Sequence, residues 1–244
     1  MRFSVFALTT LPDTATTRGL FGLDDLDDKS VAKVMFHRRK QQTGYSEILR
    51  WDQRWIAGLT LIRHSQDALH METLTLDSHS EEQMLHAFYK AAVTGDRLVS
   101  WDGEQTLVPL IHFRTLRHEL SYPAYWDAVH SARALHLDLR SWLSPGLDDR
   151  PTLDETARKL GFPGMLGFSD QQVSDDWLRG ENAPLAAYSE VIALNTCLLA
   201  QRLFSMTGEM SRHDSRRAQG RLRDHLRDRS ADHLRAFLET WDRD

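Results

Sequence analysis

The chain has 244 residues, and its 41% hydrophobic content is enough to bury one sizeable core. Its formal net charge of −5 excludes a protein whose whole surface attracts nucleic acid, although a local basic groove is compatible with that total. The single cysteine, Cys197, excludes an internal disulfide. No leader pattern and no apolar run of about 18 residues is evident, so we expect a cytoplasmic protein that does not bind membranes.

The first hundred residues combine strand patterns with helical ones. Short apolar or β-branched runs predict strands at residues 3–9, 54–63, 70–76 and 97–101. Acidic residues early and basic residues late predict an inserted helix around residues 24–42. Ser80 caps an amphipathic helix that ends near Gly95. Three strands, a helix and a fourth strand are the order of the ribonuclease H-like α/β fold.

The second half of the chain has mostly helical spacing. Helices are predicted at residues 108–118, 132–143, 153–160, 170–179 and 184–204, and the C-terminal helices at 211–229 and 231–241. We therefore expect one ribonuclease H-like domain over residues 1–244, with a mixed, five-stranded sheet flanked by helices.

Three segments resemble the active-site motifs of a nuclease family. They are residues 6–13 (FALTTLPD), Trp101-Asp102-Gly103 ahead of Leu107, and Tyr188 four residues before Ile192. These segments are similar to the motifs of the predicted 3'-5' exonucleases related to the proofreading domain of DNA polymerase B, which belong to the DEDD group. Residues 160–164 (LGFPG) and 194–196 (LNT) are also similar to that family and occur in the expected order.

The resemblance implies a metal-dependent exonuclease that has lost its metal ligands. Members of the family bind two Mg²⁺ or Mn²⁺ ions through four acids, whose positions correspond here to Ala7, Thr9, Leu107 and Ile192. These hard cations require oxygen ligands, and the four side chains offer only one hydroxyl. The resemblance thus implies the fold and argues against hydrolysis, so we expect a catalytically dead member with no metal site or cofactor.

Other carboxylates do not replace the lost set. Asp13 lies about 20 Å along an extended strand from Ala7, at roughly 3.3 Å per residue. Glu190 is turned by roughly 200° from Ile192 on a helix. Asp102, at a strand end, is the best substitute, but one acid cannot hold two cations. Tyr188, which helps to position water in the family, has no proton-transfer partner that the sequence identifies.

Seven residues are candidates for contact with nucleic acid: Thr9, Thr10, Trp101, Asp102, Tyr188, Arg216 and Arg217. Threonine hydroxyls can bind phosphate, tryptophan can stack on bases, and arginines on a helix can clamp phosphates. Each also has a structural interpretation, since threonines favour strands and aspartates are interleaved with the arginines of residues 212–235. Arg38, Arg39 and Lys40 form a smaller basic cluster with the same two interpretations.

Three functions are compatible with these patterns. The first is a pseudo-exonuclease that acts as a binding or regulatory module, with single-stranded nucleic acid or a protein as its partner. The second is a residual exonuclease with relocated ligands, such as Asp102 and Asp13, helped by Tyr188. The third is a protein-interaction scaffold. The patterns favour the first and leave the oligomeric state open.

Overall fold

The computed structural model describes residues 1–65, 67–94, 97–131, 136–147 and 149–243. Its strands are β1 (Phe3–Pro12), β2 (Arg54–His64), β3 (Leu69–Thr75), β4 (Arg97–Ser100) and β5 (His136–Asp138). They form a sheet in the order β3-β2-β1-β4-β5. β2 pairs antiparallel with β1 and β3, whereas β4 pairs parallel with β1 and β5. This mixed, five-stranded sheet confirms the predicted ribonuclease H-like α/β fold.

Helices flank the sheet and make up most of the second half of the described chain. The α-helices are α1 (Thr14–Phe21), α2 (Asp28–Thr43), α3 (Glu81–Ala92), α4 (Val108–Arg117), α5 (Pro123–His130), α6 (Leu139–Leu143), α7 (Leu153–Lys159), α8 (Asp170–Trp177), α9 (Ala183–Met206), α10 (Arg212–Arg227) and α11 (Asp232–Trp241). A 3₁₀ turn, Trp51–Gln53, precedes β2, and one π-helical turn, Gly103–Leu107, leads into α4.

The central strand β1 is buried at every position because helices cover both faces of the sheet. Phe3, Val5 and Ala7 pack into the core that includes α9. Phe6 and Leu8 pack on the opposite face, with residues of α3 and α4. A strand buried on both faces has no need of polar alternation, which explains the continuous apolar run in the sequence.

The long helix α9 forms the base of one core. Among the residues that the structure describes, it is the one helix long and apolar enough to cross a membrane by length and composition, and 72% of its apolar window is buried within the fold. The helix packs against β1 and β2. From the sequence we expected no segment of this length and apolar content, and α9 shows that this expectation was wrong.

The sequence patterns misassigned one strand and missed two helices. Residues 136–138 were expected in a helix over 132–143 but form β5, in register with β4 from Leu98 to Ser100. The prediction for residues 132–135 falls outside the described residues, as does the expected helix end at Gly95. α1 and α5 were not predicted. α3 ends at Ala92, after an N-terminal capping box formed by Ser80 and Gln83.

Candidate functional site

A cleft of about 940 Å³ lies where β1 and β4 end, beside α9. Its lining includes Thr10 of β1, Asp102 after β4, Leu107 before α4, and Tyr188 and Ile192 of α9. The structure thus brings together Tyr188 and two of the four positions at which the resembling family has acids. A cleft of this size is in the range of ligand-binding sites.

The other two positions, Ala7 and Thr9, lie on the face of β1 that packs against α9. Both residues are 0% exposed and neither lines it. The Thr9 Oγ1 donates a hydrogen bond of 2.6 Å to the backbone carbonyl of Leu185 on α9. The proposed phosphate contact of Thr9 is therefore corrected, because its hydroxyl has a partner and no access to solvent. Thr10, on the opposite face of the strand, does line the cleft but is only 7% exposed.

The remaining side chains do not fit a pair of divalent cations. Leu107 and Ile192 present alkyl groups to the cleft and pack against the two cores. Within the described ranges, no group of three or more His, Cys, Asp or Glu residues is placed to hold a metal ion. Mg²⁺ and Mn²⁺ need several oxygen ligands, so the donor set present here does not suit them.

Three aspartates do line the cleft, and each forms an ion pair with an arginine that also lines it. The pairs are Arg54–Asp170 at 2.5 Å, Arg140–Asp102 at 3.0 Å and Arg158–Asp154 at 3.5 Å. Opposite charges at these distances cancel most of the field that a free carboxylate would offer a cation. Of the six residues in these pairs, only Asp102 was predicted from the sequence as a site candidate. The i,i+4 spacing of Asp154 and Arg158 was the one local pattern that could have predicted a pair.

Asp102 has a strained and partly buried position. Its backbone lies in the left-handed region, with φ of 59°, and its N–H donates to Asp138 Oδ1 at 2.9 Å. One carboxylate oxygen, Oδ2, faces Arg140, while the other, Oδ1, is buried without a hydrogen-bond partner. Burial raises the pKa of the Asp102 carboxyl, Arg140 opposes that shift, and Asp138 adds to it. The carboxylate is thus partly desolvated and already faces Arg140, which makes it a poor cation ligand.

The two aromatic candidates contribute differently to the cleft. Burial raises the pKa of Tyr188, the nearby Asp170 adds to this shift, and Arg54 opposes it. Its side chain packs with the cluster of Leu11 and Val173. Trp101 lines the cleft but is 8% exposed and belongs to the main core, so little of its ring is available for stacking.

The other acids that were weighed as substitutes lie outside the cleft lining. Asp13 accepts hydrogen bonds from the Thr16 N–H at 3.0 Å and from Arg114 at 2.6 Å, which fixes it at the start of α1. Glu190 accepts a hydrogen bond from Thr73 at 2.7 Å and pairs with His233. Both carboxylates are engaged elsewhere in the fold.

The arginine candidates on α10 are exposed and also outside the cleft lining. Arg216 and Arg217 are both on the solvent side of that helix, and Arg217 lies 3.7 Å from Asp214. Any nucleic-acid contact that they make would therefore be separate from the cleft.

The comparison with known families agrees with this fold. The family model described as a predicted 3'-5' exonuclease related to the exonuclease domain of PolB matches residues 48–241. The match includes Leu107, Tyr188 and Ile192, whereas Ala7 and Thr9 lie before it. No curated protein shows a match to the chain. Since the family match spans most of the chain and the sheet has the ribonuclease H-like order, the chain belongs to the family of predicted 3'-5' exonucleases related to the exonuclease domain of PolB.

Proposed function

We propose that this protein is a pseudo-exonuclease, which retains the exonuclease fold and binds single-stranded nucleic acid without hydrolysing it. The observation that carries the proposal is the replacement of the four acid positions by Ala7, Thr9, Leu107 and Ile192. In the two-metal mechanism, the cations activate the attacking water and stabilise the leaving oxygen. Side chains without carboxylates hold neither cation, and the hydrolytic step then has no source of this stabilisation.

The ion pairs in the cleft argue against relocated metal ligands. To bind a cation, Asp102, Asp154 or Asp170 would first have to release its arginine. The released arginine would then add a positive charge beside the incoming cation. This repulsion makes a new site from the same aspartates unfavourable.

Features of the cleft support binding of a strand. Arginines suit phosphate groups because their planar guanidinium groups can form two parallel hydrogen bonds, and aromatic rings suit bases. The lining combines Arg54, Arg140 and Arg158 with the rings of Trp51, Phe168 and Tyr188, and a phosphate would have to compete with the aspartate that each arginine now contacts. Trp51 is 37% exposed, so its ring is more accessible than that of Trp101.

The test is to incubate the pure protein with labelled single-stranded DNA and RNA in Mg²⁺ and in Mn²⁺. We expect no shortening from the 3' end, together with binding that weakens as salt is raised, because phosphate contacts release counterions. Metal-dependent shortening by the wild type that is lost in an identically purified Tyr188→Phe variant would overturn the proposal. Equal shortening by both preparations identifies a contaminating nuclease. Oligonucleotide binding that is absent or insensitive to salt would favour a protein-interaction scaffold instead.

A further inference from the structure

A second groove, of about 500 Å³, lies between α2 and α8, outside the cleft. Lys29, Lys33, His37 and Lys40 line it from α2, and Gln171 and Asp175 line it from α8. The four α2 residues follow helical spacing and occupy one face of the helix. All four are exposed. The α2 wall of the groove is therefore basic, on a protein whose total charge is −5, while Glu47 and Asp175 are the acidic residues of the lining.

Other basic residues of α2 are used within the fold. Arg38 lies over the ring of Phe21 at 3.9 Å, and the Arg39 Nε donates to the Ile48 carbonyl at 2.9 Å. The Lys40 Nζ forms an ion pair of 2.9 Å with Glu47. The basic cluster that was noted in the sequence is thus largely occupied by local contacts.

Lys29 and Lys33 differ from that cluster. Neither side chain has a hydrogen bond or an ion pair within the described part of the chain. Hydrogen bonds from Ser30 lower the pKa of the exposed Asp27 carboxyl, and the charges of Lys29 and Lys33 add a smaller effect in the same direction. Like charges four residues apart slightly destabilise a helix. Their positions therefore cost helix stability and leave two ammonium groups available to a ligand.

The groove and the cleft are lined by residues that are neighbours in the sequence. Glu47 lines the groove and Ile48, the next residue, lines the cleft; Asp170 lines the cleft and Gln171 lines the groove. Exposed aromatic rings lie along the same segment, with Tyr45 84% exposed and Trp51 37% exposed. Both rings are therefore close in sequence to Glu47 of the groove and Ile48 of the cleft.

We infer that the groove between α2 and α8 is a second binding site, which holds the phosphate backbone of single-stranded nucleic acid and leads the strand into the cleft. The inference rests on the proposed function. Lysines on flexible stems, together with the exposed aromatic rings of Tyr45 and Trp51, match a strand because its phosphates pair with ammonium groups and its bases stack on rings. An acidic peptide would use the lysines but would have no need of Tyr45 and Trp51.

Salt-dependent binding of a labelled oligothymidylate tests the groove. In the Lys29→Ala/Lys33→Ala variant, we expect the slope of log affinity against log salt to become shallower by about 1.4, or roughly 0.7 for each lost contact with a single strand. Lys90→Ala/Arg235→Ala removes the same charge from other exposed positions and should keep the wild-type slope. The inference is overturned if the Lys29→Ala/Lys33→Ala variant keeps the wild-type slope. It is also overturned if, of the variants compared, the slope is reduced only in Arg216→Ala/Arg217→Ala.

Crosslinking provides a second measurement that does not depend on removing charge. Cys197 is buried and does not react with a thiol-reactive photocrosslinker in the folded protein. The reagent would therefore label only a cysteine that is introduced at an exposed position. We expect His37→Cys, within the groove, to crosslink to the oligonucleotide, and Gln42→Cys, on the opposite face of α2, not to do so. Equal crosslinking at both positions, or none at His37→Cys, overturns the inference.

The outcomes separate the groove from the proposed function. Metal-dependent shortening of a strand would overturn the pseudo-exonuclease proposal and leave the groove intact. Wild-type binding with no effect of the lysine variant would overturn the groove and leave the pseudo-exonuclease proposal intact. Failure of the wild type to bind any oligonucleotide, or tighter binding of polyglutamate than of oligothymidylate, would also overturn the groove as a nucleic-acid site.

Discussion

The Thr9 hydroxyl on β1 is hydrogen-bonded to the Leu185 carbonyl on α9 at 2.6 Å, across 176 positions of sequence. In the resemblance drawn from the sequence, Thr9 corresponds to a metal-binding acid. Opposite it, a Cβ placed on Gly58 would lie 3.2 Å from the Thr9 Cβ, which shows how closely β2 approaches. The position has become part of the sheet–helix packing.

Restoring the acid at this position should therefore destabilise the fold. Thr9→Glu places a longer, charged side chain in a site that is 0% exposed, and we expect it to cost at least about 3 kcal/mol in the free energy of unfolding. Thr9→Val loses one hydrogen bond and should cost about 1 kcal/mol. Urea unfolding measures both. Thr10→Glu is the matched control, because that residue lines the cleft and should be better tolerated. Equal losses for the two glutamate variants would contradict this account.

A second prediction concerns the buried arginine of α4 that joins the start of α1 to the start of α3. Arg114 is 5% exposed and forms ion pairs of 2.6 Å with Asp13 and Glu81. Arg114→Ala would leave two buried carboxylates without their partner, and we expect a loss of about 3–5 kcal/mol in unfolding free energy. Arg114→Met combined with Asp13→Asn and Glu81→Gln removes all three charges, so it should recover part of that loss. If the triple variant recovers no unfolding free energy, the loss in Arg114→Ala comes from the changed packing and not from the unpaired charges.

The same network predicts a loss of stability in acid. Burial works to raise the pKa of Asp13, but hydrogen bonds from Thr16 and the charge of Arg114 outweigh it and hold the pKa below its ordinary value of 3.8. A carboxyl with a lowered folded pKa contributes stability that is present above its ordinary pKa and is lost as pH falls through the folded value. Unfolding measured below pH 4 should therefore show a weaker pH dependence in Asp13→Asn than in the wild type. Identical acid profiles would contradict the assignment.

Local patterns predicted most of the sheet and few of the contacts that define the cleft. β1 to β4 were visible because their residues form short apolar runs, whereas β5 has only three residues and is defined by pairing with β4. The same limit applies to the ion pairs. Arg54 and Asp170 are 116 positions apart, so no local pattern relates them.

The sequence patterns also did not predict which side chains point into the cleft. Thr9 and Thr10 are adjacent and chemically identical, yet one faces α9 and the other lines the cleft. Alternation along the strand makes the two directions opposite, but which residue faces the cleft depends on how β1 packs between two cores. In the same way, the basic face of α2 was readable, but the groove requires α8, which lies far along the chain.

His64 provides a separate pH-dependent prediction. Its ring stacks on Phe3 with centroids 4.6 Å apart, and neither ring nitrogen has a partner in the described structure. Burial lowers the pKa of His64 to about 4, with smaller effects from Arg221 and the N-terminal amine. The unfolded chain binds this proton near its ordinary pKa of 6.5, so stability should rise with pH between about 4 and 6.5 and then become level for this group.

Replacing the ring tests this dependence. We expect His64→Phe, which keeps the stacking, to remove about 2–3 kcal/mol of pH dependence over that window, at 1.36 kcal/mol per pKa unit. Urea unfolding at pH 4.5 and pH 7 measures the difference. His130→Phe, at an exposed position, is the control and should keep the wild-type dependence. A wild-type free energy of unfolding that is level across this range would show that the pKa of His64 is not lowered in the folded state.

The last prediction concerns divalent cations, and titration calorimetry with Mn²⁺ tests it. We expect the wild type to give only the heat of dilution, because Asp102, Asp154 and Asp170 are each paired with an arginine. Arg140→Met frees Asp102 from its partner and should still give no saturable heat. Saturable heat in the wild type that disappears in Asp102→Asn would show that Asp102 has rebuilt a metal site. One carboxylate supplies at most two oxygens, whereas Mg²⁺ takes about six ligands in octahedral geometry, and water alone would have to provide the rest. Such an ion would be held weakly, and its partner in the two-metal mechanism would have no carboxylate at all.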